Sequence, residues 1–122
     1  MGTIRVVNKR AGSKYKPMPG EVVIAVDRSN PVLGNPHMLK NVNDPAERDR
    51  VIAAYQRDYD ADWERNGPMR KATEMIAELV KAGERVCCSC WCFPKPCHAS
   101  CIEKRVQQIL GMTVESQSEL GI

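Results

Sequence analysis

Five consecutive apolar residues, Val22-Val23-Ile24-Ala25-Val26, constrain this chain more than any other stretch. A strand with one wet face alternates apolar and polar side chains. A run without alternation therefore asks for cover on both faces of a sheet. This reading puts residues 22–26 in the middle of a sheet and makes the fold α/β. Asp27-Arg28 closes the run, and residues 29–36 are irregular, with Asn, Pro and Gly at turn positions. Two further strands are expected. Ile4-Arg5-Val6-Val7 is the first, and Arg85-Val86-Cys87-Cys88-Ser89-Cys90, after a stop at Gly83, is the last.

The segments between these strands have helical spacing. Asp44 reads as an N-cap, with Pro45 at the first helical position and Glu47 three residues after the cap. Val51, Ile52, Tyr55, Tyr59 and Trp63 then make an apolar stripe, read as core rather than as a stacking platform. Asn66-Gly67-Pro68 breaks this helix, and a second runs from Met69 to Ala82. A third runs from about His98 to Leu110, with Gly111 as its stop. The order is β-β-α-α-β-α. It implies a small three-layer Rossmann-like domain with a short, mostly parallel sheet. Residues 1–113 form the single domain, and 114–122 a polar C-terminal tail. The acids Asp58, Asp60, Asp62 and Glu64 fan around the first helix and read as solvated.

The net charge of +3 is unevenly spread, with six Lys or Arg against two Asp or Glu in residues 1–36. Such an N-terminus suits phosphate, although a solvated basic edge is the plainer explanation. No apolar stretch has the length of a membrane span, and the N-terminus lacks a signal-peptide core, so no membrane partner and a cytoplasmic location are expected. In that compartment thiols stay reduced, and clustered cysteines suggest metal or chemistry rather than disulfides.

All six cysteines and one of the two histidines fall within residues 87–101. They occupy the turn from the last strand to the last helix, the place where open α/β sheets bind ligands. The backbone is expected to pass from strand to helix across residues 90–100, with Cys97 or His98 in the first helical turn. No glycine-rich phosphate loop, Ser-His-Asp order or His-Glu-x-x-His motif is present.

Several blocks in order carry a resemblance. They are Val7-Asn8-Lys9-Arg10, Ile24 to Arg28, Leu33-Gly34-Asn35-Pro36, Arg48 to Tyr55, and Cys90-Trp91-Cys92-Phe93-Pro94 followed by Cys97-His98. Over residues 4–110 the chain resembles the domain of unknown function family 4326, small proteins common in bacteriophage and bacterial genomes. The Cys-Trp-Cys…Cys-His block is the most specific part. His37 stands where the family usually has an aromatic residue, and Ala99 where it usually has Gly. Cys87, Cys88 and Cys101 are additions to the pattern. The resemblance implies one assembled pocket with Asn8, Arg10, Arg28, Asn35, Arg48 and Cys92 as ligand-binding residues. It leaves the chemistry open.

Three readings of the cysteine turn compete. In the first, helix N–H groups and nearby arginines bind a nucleotide, nucleoside or nucleic-acid group. Cys97 is then a catalytic nucleophile and His98 its proton shuttle. Cys97 is expected to react faster than Cys87 or Cys88. In the second, Cys90, Cys92, Cys97 and Cys101, or His98 in place of the last, hold zinc. In the third, the cysteines pack as small hydrophobes, and the chain is a non-catalytic interaction protein that binds a host factor. The first leads, and it has Asn8, Arg10 or Arg28, Asn35, Cys97 and His98 converging on one concave surface. Whether the protein is an enzyme stays open.

Overall fold

The computed structural model describes residues 1–37, 39–41 and 43–112. The expected C-terminal tail lies outside the described residues. Six elements follow in order: β1 (Thr3–Asn8), β2 (Glu21–Ala25), α1 (Pro45–Glu64), α2 (Pro68–Lys81), β3 (Arg85–Cys90) and α3 (Ala99–Leu110). The domain is a small α/β fold with a three-stranded, wholly parallel sheet in the order β1-β3-β2. Val6 and Ile24 both sit opposite Cys88, which sets the register.

The central strand is therefore β3 and not β2. The run at 22–26 belongs to an edge, where Val23 is 48% exposed. Val86, Cys87 and Cys88 are fully buried in its place. A cysteine-rich strand looks less apolar in composition than it is, because a reduced cysteine packs as a small hydrophobe.

Alternation along the strands decides the layering. Ile4, Val6, Val86, Cys88 and Cys90 share one sheet face, and they join a single core with Tyr55 and Tyr59 of α1, Ile76 and Val80 of α2, and Ile102 and Val106 of α3. All three helices thus pack on one side, and the expected third layer is not helical. The opposite face holds the Arg5–Glu21 ion pair at 2.6 Å, and Arg5 also donates to the carbonyl of Lys16 in the β1–β2 connection. Irregular chain does there what a helix layer does in larger sheets.

The caps explain where the helices begin. The Asp44 carboxylate accepts from Ala46 and Glu47 N–H groups at the start of α1. Glu47 reaches past the cap and accepts from the backbone of Lys40 and Asn41. Gly67 offers α2 no side chain, so Asp62 takes over and accepts from Met69 at 3.2 Å and Arg70 at 2.8 Å. Asp62 is 1% exposed, which corrects its reading as a solvated acid. Its neighbours do face water, where Asp58 meets His37 and Asp60 meets Arg105. Gly111 ends α3 at φ +69°, in the left-handed region that glycine enters without strain. Among the described residues, no helix is long and apolar enough to cross a membrane.

Candidate functional site

Parallel pairing puts the C-terminal ends of all three strands at one edge, where Asn8, Ala25 and Cys90 finish. A cavity of about 480 Å³ opens at this edge, a size that suits a small organic ligand. Three segments build it. The stretch after β2 gives Asp27, Arg28, Asn35 and Leu39, α1 gives Arg48, Val51 and Ile52, and the β3–α3 turn gives residues from Cys90 to His98.

The turn is held at both ends. Asn8 donates its side-chain N–H to the Phe93 carbonyl at 2.5 Å, and Arg48 donates to the Pro96 carbonyl at 3.2 Å. Between these anchors the Lys95 N–H closes onto the Cys92 carbonyl at 2.9 Å, turning the chain back. His98 is the N-cap position of α3, and Cys97 comes just before it. The Cys97 sulfur accepts the Ala99 N–H at 3.5 Å, standing in for the missing capping side chain.

Arg28, Asn35, Arg48, Cys90, Cys92, Cys97 and His98 all line this cavity, and Asn8, Arg10 and Cys101 do not. Asn8 is a positioning residue, whose amide oxygen accepts the Arg10 N–H while its nitrogen fixes the turn. The Arg10 side chain points into solvent beyond it. Cys101 is buried in the first turn of α3 as part of the core. Asn35 lines the wall, but both ends of its amide are engaged, with the Val51 carbonyl and the His37 N–H.

The family described as Domain of unknown function (DUF4326) matches residues 7–108. The chain belongs to the DUF4326 family. No curated protein and no solved structure matches it.

Protonation in this DUF4326 site follows from its hydrogen bonds. Burial lowers the His98 imidazole, so it is neutral at pH 7. Its Nε2 faces the Val26 carbonyl at 2.5 Å, an acceptor only, so Nε2 carries the proton. Nδ1 is then an acceptor, and it meets the Cys97 sulfur at a hydrogen-bond distance of 3.6 Å. Cys97 is 5% exposed and is pushed far above the ordinary thiol range, because it is the S–H donor to Cys90 and Cys92 and is buried as well. Burial and this bonding disfavour the thiolate that the expected role of Cys97 as nucleophile needs.

Cys92 is the cavity sulfur whose surroundings favour the thiolate. The Cys97 S–H lowers it most, burial opposes, and the Arg48 guanidinium adds to the lowering, leaving Cys92 at about 5. It is half-buried and faces the cavity. Cys90 is drawn to about 7 by the same S–H against its burial. One S–H cannot serve two sulfurs at once. Arg48 decides for Cys92, and Cys90 keeps its proton, which faces the Val7 carbonyl at 3.7 Å. Cys87 and Cys88 are fully buried, and burial raises both.

The zinc set does not assemble. Among the described residues, no group of three or more His, Cys, Asp or Glu side chains is arranged to hold a metal ion. Cys101 is buried in the core and does not line the cavity, so the four cysteines are not brought together.

Two residues of the wall, Trp91 and Asp27, escaped the sequence reading. Trp91 is 54% exposed, yet its indole N–H is fixed to Asp27 at 2.7 Å. Burial raises the Asp27 carboxyl, but hydrogen bonds from Ser29, Lys9 and Trp91 together hold it down at about 2. The anchored carboxylate thus holds an aromatic ring in place at the cavity. The available signal was a tryptophan between two cysteines at a strand end, where a large exposed ring gains nothing from packing.

Proposed function

We propose that this protein binds a nucleotide or a nucleic-acid end group in the cavity at the strand edge, with the Cys92 thiolate as the reactive group. The observation that carries this reading is the joint presence of Arg28, Arg48 and the anchored Trp91 ring around one cavity with apolar walls. Arg28 binds the Asn35 and His37 carbonyls through Nε and one Nη, which leaves further guanidinium donors for a phosphate. An indole that cannot rotate away suits stacking of a base, which is worth about 1–3 kcal/mol in nucleic-acid complexes. Leu39, Val51 and Ile52 match the apolar body of such a ligand.

The wider reading is a Rossmann-like protein, supported by the parallel sheet with its site at the carboxyl edge; its being of phage type and acting in the host cytoplasm rests on the resemblance alone. The test is titration with the four ribonucleoside 5′-monophosphates, followed by tryptophan fluorescence. At least one should quench the Trp91 emission saturably. Arg28→Ala should weaken it about tenfold or more, the loss of one charge-assisted phosphate contact. No binding by any of the four, nor by a short single-stranded oligonucleotide, removes this reading and favours the interaction protein.

A further inference from the structure

We infer that Cys92 and Cys97 form a two-thiol centre that reduces a hydroperoxide and closes to an internal disulfide. The inference shares the Cys92 thiolate with the reading above, but it does not need the nucleotide.

The arrangement carries it. Cys92 is the half-buried sulfur that meets the cavity, and Cys97 lies buried in the wall of the same cavity. The reversal at Phe93-Pro94-Lys95-Pro96, closed by the Lys95–Cys92 bond and anchored by Asn8 and Arg48, brings the chain from Cys92 back to Cys97 at the same cavity. His98 Nδ1 stands at hydrogen-bond distance, 3.6 Å, from the Cys97 sulfur and is placed to accept its proton. Of the other thiols, Cys87, Cys88 and Cys101 do not line the cavity, and Cys90 is turned to Val7.

The chemistry balances. The Cys92 thiolate attacks one peroxide oxygen and the O–O bond breaks. Cys92 becomes a sulfenic acid, and the alkoxide leaves as an alcohol after taking a proton from solvent. Sulfur loses two electrons and the peroxide gains them. Cys97 then gives its proton to His98 Nδ1 and its sulfur attacks Cys92. The S–O bond breaks, the departing hydroxide takes the proton from His98, and water and the disulfide remain. Arg48 beside Cys92 stabilises the negative charge of the first step.

The test uses hydrogen peroxide on the folded, reduced protein, with peptide mapping by mass spectrometry. The expected product is a Cys92–Cys97 bridge that dithiothreitol reverses. Cys97→Ser should instead leave a Cys92 sulfenic acid that dimedone traps, and Cys92→Ser should leave Cys97 unoxidised. A bridge from Cys92 to Cys90, sulfinic acid at Cys92 with Cys97 still free, or oxidation of Cys97 in Cys92→Ser would overturn the inference. Nucleotide titration of the same samples separates the two proposals. Binding without a bridge sinks this inference alone, and a bridge without binding sinks the nucleotide reading alone.

Discussion

The ionisation of Cys92 gives a sharp kinetic signature. With a midpoint at about 5, its sulfur is roughly nine-tenths thiolate at about pH 6 and fully so at about pH 8. An ordinary thiol near 8.5 gains about 80-fold in thiolate over the same range. Alkylation by iodoacetamide should therefore be almost flat with pH at Cys92, changing by no more than about 20%. Partial burial multiplies the rate by a constant, so the shape of the profile survives even where the absolute rate does not. The low pKa also weakens the nucleophile, by about 40-fold for a Brønsted slope near 0.45. Against a free-cysteine peptide in the same tube, Cys92 should be about 20-fold faster at about pH 5.5, before any loss from burial, and slower above about pH 7. Arg48→Gln removes the guanidinium and should give the flat profile a slope between pH 6 and 8. Quenched time points with peptide mapping read each cysteine separately. A rise of more than tenfold at Cys92 between pH 6 and 8, or Cys97 labelling first, would refute the assignment.

Two further outcomes concern stability. Burial pushes Glu103 up to about 7, so its contribution is complete below the ordinary carboxylate range and is lost as pH rises through about 7. Glu103→Gln should therefore be more stable than the parent at about pH 8, by no more than about 3 kcal/mol, and nearly equal to it at about pH 4; urea unfolding at both values checks this, and equal gains at both would show that charge is not the cause. Asp62→Ala strips α2 of the acceptor for two of its first N–H groups and should cost about 2–3 kcal/mol, or about 10 °C in Tm, by calorimetry. A loss of under about 1 kcal/mol would mean that water replaces the carboxylate.

Local signals announced most of the fold. Asp44, Gly83 and Gly111 mark helix ends because a cap or a left-handed turn is a property of a few adjacent residues. Strand order was not legible, since nothing within residues 22–26 or 85–90 records which segment gains two neighbours. The cavity was legible in part. The turn and Arg28 announce themselves by position at strand ends, but the choice among the cysteines depends on what each sulfur meets. Arg48 comes to Cys92 from α1, and the Val7 carbonyl to Cys90 from β1. The same distance in sequence concealed Asp62, whose role appears only when the α1–α2 corner closes.

The two anchors of the cysteine turn have a consequence for biosynthesis. Asn8 lies 85 residues from Phe93, and Arg48 lies 48 from Pro96, so neither bond can form until residues 93–96 have been made and the domain has folded. Before that moment Cys92 has neither Arg48 nor the Cys97 S–H beside it and is an ordinary, mostly protonated thiol. The reactive sulfur is thus created by tertiary structure, and an emerging chain passes the solutes around it with its chemistry not yet switched on.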